Sequence, residues 1–110
     1  MITTNTMLLQ PVTVAGPTAH ITPEIQQGST RSFQVFGVSN TGTGVATLQI
    51  QATNDGSYGW IDLLDTDATL NFGVSASSDG FVVPASYAHF RLDIKSISGD
   101  GAKVGMVVGG

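Results

Sequence analysis

The sequence predicts an all-β fold, an antiparallel β-sandwich with a jelly-roll-like arrangement of about eight strands. Apolar and polar side chains alternate every second residue in several short stretches, as in strands with one buried face. Clusters of Gly, Asn, Asp and Ser separate these stretches at short, even intervals. No stretch has a helical period long enough to compete. The 110 residues suffice for one domain with a single core.

The N-terminal part of the chain differs from the rest, and we divide the chain into residues 1–29 and 30–110. Pro11, Pro17 and Pro23 follow one another at intervals of six residues. Each proline removes a hydrogen-bond donor from a strand and restricts the residue before it. Residues 1–29 are therefore expected to form an extended arm or an edge segment, and residues 30–110 the sandwich.

Eight strands are predicted along the chain, at residues 7–14, 31–39, 45–53, 58–64, 69–75, 80–83, 89–97 and 102–108. The first is an edge strand interrupted by Pro11, and residues 15–27 are an extended segment laid over a surface. Asn54, Asp55 and Gly56 favour a chain reversal, which predicts a hairpin between the third and fourth strands.

The last two predicted strands both alternate, and the Ser-Gly-Asp-Gly sequence at 98–101 between them predicts a second hairpin. Cross-strand pairing would then involve Arg91, Asp93, Lys95 and Lys103. The apolar faces of the alternating strands predict a shared core that contains Leu48, Ile50, Phe90, Leu92, Ile94, Val104 and Met106.

Charge is sparse, because Asp, Glu, Lys and Arg make up 11% of the residues, against about 25% in a typical protein. A neutral surface of Ser, Thr, Asn, Gln and Gly suits close contact with another protein, so we expect assembly, including a homo-oligomer. The four basic residues are scattered and the net charge is −4, which argues against a nucleic-acid partner. No apolar run approaches the roughly 20 residues that span a bilayer, so no membrane partner is expected.

Catalytic and metal-binding patterns are weak. His20 lies among prolines and His89 begins a strand, without a glycine-flanked serine between strand and helix. Asp62, Asp65 and Asp67 are close in sequence, but a domain of this size rarely forms the deep sugar cleft that a glycosidase needs. The oxygen ligands at 54–56 and 65–67 are explained better by turn formation than by calcium binding, because the full calcium loop with its closing glutamate is absent. There are no cysteines. We therefore expect no enzymatic activity, no metal and no cofactor.

Trp60, the only tryptophan, has two interpretations. It is either a core residue at the centre of the sandwich, or an exposed aromatic for a partner or a sugar ring. Alternation with Ile61 and Leu63 places it with Asp62 on the less apolar face of a regular strand.

A family resemblance rests on the order of motifs from residue 44 to residue 110. An alternating strand, an Asn-Asp-Gly-Ser turn and Trp60 are followed by Asp-Gly-Phe at 79–81 and Ser-Tyr-Ala-His-Phe-Arg-Leu-Asp-Ile at 86–94, then by Ser96–Gly101 and a final valine-rich strand. This order resembles small virion proteins of tailed bacteriophages, which include jelly-roll capsid decoration proteins, also called cement or staple proteins. The hairpin with a tryptophan and the later Tyr-x-x-Phe-Arg strand are also similar to discoidin-like and carbohydrate-binding sandwiches.

The phage resemblance implies a structural protein on the outer capsid surface that binds the major capsid protein, bridges capsid subunits and forms a dimer or trimer. Residues 1–29 are then a candidate arm that orders on binding. The predicted partner-binding residues are Met7, Leu8, Leu9, Pro11, Pro17, Ile21, Pro23, Ile25 and Trp60. The alternatives are a carbohydrate-binding module and a neck or tail accessory protein of the virion.

Overall fold

The computed structural model describes residues 6–22, 30–84 and 87–109, and it describes the side chains in these ranges except those of residues 6–11, 30, 64, 83 and 84. Eight strands run through these residues: β1 (Thr6–Val12), β2 (Gly16–Pro17), β3 (Thr30–Val38), β4 (Gly44–Thr53), β5 (Ile61–Phe72), β6 (Ser77–Pro84), β7 (His89–Ser98) and β8 (Lys103–Gly109). A short 3-10 turn, Gly56–Tyr58, lies between β4 and β5.

The strands form two four-stranded antiparallel sheets. The order is β1-β8-β3-β6 in the first sheet and β2-β7-β4-β5 in the second. Four pairs are therefore nested along the chain, with β4–β5 innermost, then β3–β6 and β2–β7, and β1–β8 outermost. This is the connectivity of an eight-stranded jelly roll. It confirms the predicted fold class.

The core lies between the two sheets, where the apolar halves of the alternating strands meet. All seven predicted core residues are buried there, each at most 1% exposed. Phe33 from the first sheet packs edge-to-face against Phe90 from the second, with ring centroids 5.1 Å apart. The alternation therefore predicted both the strands and the side of each strand that is buried.

Phe72, the last residue of β5, closes one end of this core. Its ring lies against Gly37 of the first sheet and Gly44 of the second, and a side chain at either glycine would overlap it. Both positions therefore need the absence of a Cβ atom for the ring to fit between the sheets.

The predicted hairpin between the last two strands is wrong. β7 pairs with β4 in the second sheet, whereas β8 pairs with β1 and β3 in the first. The turn at 98–101 carries the chain from one sheet to the other, and Gly99 and Gly101 have positive φ there. Lys103 consequently lies on a different sheet from Arg91, Asp93 and Lys95, so the predicted cross-strand pairing with it does not occur.

The strands predicted at 58–64 and 69–75 are one strand, β5. Between them Asp65 has a φ of 60° and the register of the β4–β5 pair shifts, which is a bulge. The predicted β4–β5 hairpin is confirmed, although its return strand begins at Ile61, so Tyr58 and Trp60 precede it. Polar residues at the bulge resemble a turn in sequence, which explains the error.

The N-terminal residues supply an edge strand to each sheet. β1 pairs with β8, and the first predicted strand ends at Val12 rather than at residue 14. β2 pairs with β7, and Ile21 continues this contact through an isolated bridge with Phe90. The division into residues 1–29 and 30–110 stays a prediction.

Candidate binding surfaces

The outer face of the first sheet, here called the neutral face, is formed by alternate residues of β3, β6 and β8. Their outward positions follow from the register with the buried positions Phe33, Val35 and Met106. The residues in question are Ser32, Gln34, Phe36, Val38, Ser78, Gly80, Val82, Lys103, Gly105, Val107 and Gly109. Within this set Lys103 is the one charged residue.

Apolar groups are accessible on the neutral face. Val82 is 71% exposed, and Phe36, Val38 and Val107 are partly buried. Gln34 donates a hydrogen bond from Nε2 to Ser78 Oγ at 3.1 Å. Burial of such a face costs little desolvation of charge, and this matches the depletion of charge in the centres of protein interfaces.

The outer face of the second sheet, here called the polar face, carries charged side chains that are paired across strands. Arg91 donates from Nε to Gln51 Oε1 at 2.8 Å, and Gln51 donates from Nε2 to Asp62 Oδ1 at 2.9 Å. The Gln51 amide thus links a cation on β7 to a carboxylate on β5. The polar groups of these three side chains therefore form hydrogen bonds with one another.

A second part of the polar face surrounds Thr66, which is fully buried beside the Asp65 bulge. Its hydroxyl donates to the carbonyl oxygen of Leu63 at 2.8 Å, and Gln49 Nε2 lies 2.8 Å from the same hydroxyl. Gln49 also donates to the Leu63 carbonyl at 2.8 Å. The bulge breaks the regular ladder, and these side chains satisfy the backbone group that it frees.

Lys95 and Asp93 form an ion pair on the same face, with Nζ 2.9 Å from Oδ2. The hydrogen bond to Asp93 and the charge of that carboxylate raise the pKa of Lys95 above its ordinary value. Because the Lys95 side chain is exposed, the pair is screened by water and contributes little to stability.

The cluster of His20, Trp60, His89 and Arg91 lies where the N-terminal segment, the β4–β5 connection and the start of β7 meet. The Arg91 guanidinium carbon is 4.3 Å from the centroid of the Trp60 ring. His20 contacts both Trp60 and His89, with ring centroids 5.8 and 5.1 Å away. Trp60 is half-buried, and its ring is covered by Arg91 in a cation–π contact.

Backbone contacts hold the N-terminal segment in this cluster. Ile21 exchanges both backbone hydrogen bonds with Phe90. Thr22 Oγ1 lies 2.8 Å from His89 Nδ1. The β4–β5 connection is held by Asn54, whose Oδ1 accepts from the Ala88 amide at 3.1 Å. The cluster therefore ties three segments together at one end of the sandwich.

The predicted partner-binding residues lie in three places. β1 contains Met7, Leu8, Leu9 and Pro11. Pro17 is exposed on β2, Ile21 packs partly against the core, and Trp60 belongs to the cluster. Pro23 and Ile25 lie outside the described residues. The structure thus joins Ile21 and Trp60 at one end of the second sheet and places β1 at the edge of the first.

An open cleft of about 310 Å³ lies at the opposite end of the β4–β5 pair. Its lining residues are Gly42, Thr43, Gly44, Val45, Asn71, Phe72, Gly73 and Ser77. In the described part of the chain, three or more potential metal ligands do not come together at any point. The same part has no helix long and apolar enough to cross a membrane.

The contacts of Arg91 and His20 and the exposure of the neutral face do not follow from the sequence predictions. The alternation of β7 marks Arg91 as outward, but the partners Gln51 and Trp60 are far from it in sequence. The sequence of β6 does indicate that an apolar residue is exposed on the neutral face. Val82 alternates with Phe81 and Val83, so one of two apolar sets on β6 had to face outward.

Comparisons with known proteins identify the fold. No protein-family model and no curated protein matches the sequence. The chain is similar in structure to the SPBc2 prophage-derived protein YomS, with a TM-score of 0.53, 9% identity, and coverage of 100% of this chain and 97% of that one. A chain from the disulfide-linked pili of Bacillus endospore appendages matches with a TM-score of 0.38, 14% identity, and coverage of 96% and 85%. Only the first similarity is close enough to indicate a common fold.

Proposed function

We propose that this chain is a structural protein of a phage virion, a capsid decoration protein that binds the outer head surface and bridges capsid subunits. It acts through contact area and catalyses no reaction. The observation that carries the proposal is the neutral face, a rigid sheet surface with one charged residue among those described, with exposed Val82 and partly buried Phe36. The similar YomS protein is prophage-derived, which supports the virion setting.

A protein that stays attached to a particle without chemistry needs a broad, pre-formed surface. Two packed sheets keep the neutral face rigid, so little conformational entropy is lost on binding. Attachment through apolar burial and neutral hydrogen bonds should be insensitive to salt, because screening acts on charges. The predicted partners are the major capsid protein and further copies of this chain.

The carbohydrate-binding alternative has less support from the cluster. A sugar ring stacks on the face of an aromatic side chain, and Arg91 already covers the Trp60 face at 4.3 Å. Tyr58, 91% exposed on the β4–β5 connection, is the aromatic residue most open to a sugar. A glycan screen with a Tyr58→Ala control tests this alternative, and glycan binding without capsid binding would reverse the proposal.

The first test measures occupancy on purified capsids of the source phage as salt rises from about 0.05 to 0.5 M, a range over which the Debye length falls from roughly 14 to 4 Å. Occupancy should stay nearly constant. Release of the protein by salt alone would contradict a neutral interface.

The second test uses two isosteric changes that each add one negative charge. Gln34→Glu alters the neutral face and Asn71→Asp alters the polar face, and both side chains are exposed. Gln34→Glu should weaken capsid binding about tenfold, because a carboxylate must lose water in the interface. Asn71→Asp should have little effect. Equal effects of the two substitutions would show that the neutral face is not the capsid contact.

The arm hypothesis for residues 1–29 needs a different test, because deleting β1 and β2 removes one strand from each sheet. Limited proteolysis of the free and the capsid-bound protein keeps the fold intact. Protection of residues 1–29 on the particle should exceed that in solution. Equal resistance in both states would count against the arm.

A further inference from the structure

The four edge strands differ in how open they are to another strand. β1 contains Pro11 and an irregular register between Leu9 and Val12. β2 is two residues long and ends in Pro17. β5 has the Asp65 bulge and three aspartates. Prolines, bulges, short strands and charges are the features that protect a sheet edge from pairing with other chains.

β6 lacks most of these features. It pairs with β3 over eight consecutive residues, from Thr30↔Pro84 to Gly37↔Ser77, without a shift in register. Its proline is the final residue and Asp79 is its one charged residue. Among the described residues β6 has a strand partner on one side only. In this part of the chain its other side is therefore a regular edge.

Hydrogen bonding shows which amides face this edge. The Gly80 amide donates to its neighbour's carboxylate, Asp79 Oδ1, at 2.8 Å, so it is directed away from β3. Amides of an antiparallel strand alternate in direction. The amides of Ser78 and Val82 therefore also face the free edge.

We propose that β6 pairs antiparallel with β6 of a second copy of this chain, with Phe81 opposite Phe81 of the second copy. Gly80 and Val82 then form the hydrogen-bonded pairs. The two Asp79 carboxylates lie four residues apart along the strands, about 13 Å at the rise of a β-strand, beyond a Debye length of about 8 Å at physiological salt. A register centred on Gly80 would bring them to about half that separation, so charge disfavours that register.

The pairing is isologous, so the two-fold axis is perpendicular to the sheets and both copies present the neutral face on the same side. Two four-stranded sheets become one of eight strands. The pairing requires no capsid, so its test is independent of the proposed function.

The experiment is sedimentation velocity of the full chain from about 1 to 200 μM, a range that detects micromolar dimers. The wild type should shift from monomer to dimer. Val82→Lys should weaken dimerisation about tenfold or more, because charge on an edge strand opposes pairing. Val74→Lys is the matched control, since Val74 is also 71% exposed but lies outside the strands.

A second variant should strengthen dimerisation, so the proposal can still be tested if Val82→Lys misfolds. Asp79→Ser frees the Gly80 amide from its carboxylate partner and should strengthen dimerisation. Amide exchange at Gly80 and Val82 should slow as the dimer forms. A wild type that stays monomeric, equal weakening by Val82→Lys and Val74→Lys, unchanged exchange at Gly80, or open polymers in place of dimers would each overturn the proposal.

Discussion

The neutral face and the polar face lie on opposite sides of the same core, yet the polar side chains of the two faces differ in how far they hydrogen-bond to one another. On the polar face Arg91, Gln51 and Asp62 bond to one another, and Gln49 bonds to Thr66. On the neutral face Val82 is exposed, and Gln34 donates a hydrogen bond to its neighbour Ser78. A face whose polar groups are paired internally contributes to stability, whereas a face of accessible neutral groups is available to a partner. This difference predicts where substitutions change the free energy of unfolding.

The largest losses should come from the core, which both sheets share. Ile50→Ala and Leu92→Ala each remove a fully buried side chain and should lower the free energy of unfolding by about 2–5 kcal/mol. Urea denaturation measures this. Losses below about 0.5 kcal/mol at both positions would mean that the register of the strands is wrong.

Thr66→Val tests the buried part of the polar face. The substitution keeps the shape of the side chain but removes the hydroxyl that bonds to the Leu63 carbonyl and the Gln49 amide. The expected loss is about 1–3 kcal/mol. Thr69→Val, at an exposed position of the same strand, is the control and should change stability by less than about 0.5 kcal/mol. If Thr66→Val and Thr69→Val lowered the free energy of unfolding by similar amounts, the hydrogen bonds of Thr66 would not stabilise the fold as proposed.

Arg91→Gln tests the exposed part of the polar face. Loss of the contacts with Trp60 and Gln51 should cost about 1 kcal/mol. Because Trp60 is the only tryptophan, its emission should shift at the same time. Lys103→Gln on the neutral face is the control and should alter neither stability nor emission. An unchanged spectrum for Arg91→Gln would contradict the stacked geometry.

The smallest effect concerns the Lys95 pKa, which the Asp93 hydrogen bond and charge raise above 10.5. A raised lysine pKa stabilises the fold below the unfolded-state pKa, and this contribution disappears as pH rises through the folded-state value. Asp93→Asn should return the Lys95 pKa toward its ordinary value in an NMR titration. Asp100→Asn is the control and should leave it unchanged.

Local alternation predicted most of the fold but little of the binding surfaces. It identified β4 and β7 and the buried side of each, because burial on one face imposes a period of two. It could not show that the 98–101 turn joins two sheets. Phe90 and Val104 face the same core from opposite sheets. Two strands of one hairpin would show the same alternation of apolar and polar residues, so the alternation cannot distinguish the two arrangements. The contacts of Arg91 with Trp60 and of His20 with His89 depend on segments that meet only after folding.

The nested strand order brings the two ends of the described chain together, since Thr6 pairs with Gly109 in the outermost strand pair. Such contacts have high contact order, which slows folding. During synthesis β1 must wait for β8, the last of the described strands in chain order, and until then its partner edge is missing. Tags attached next to Thr6 and Gly109 should therefore start on neighbouring strands at the same end of the first sheet.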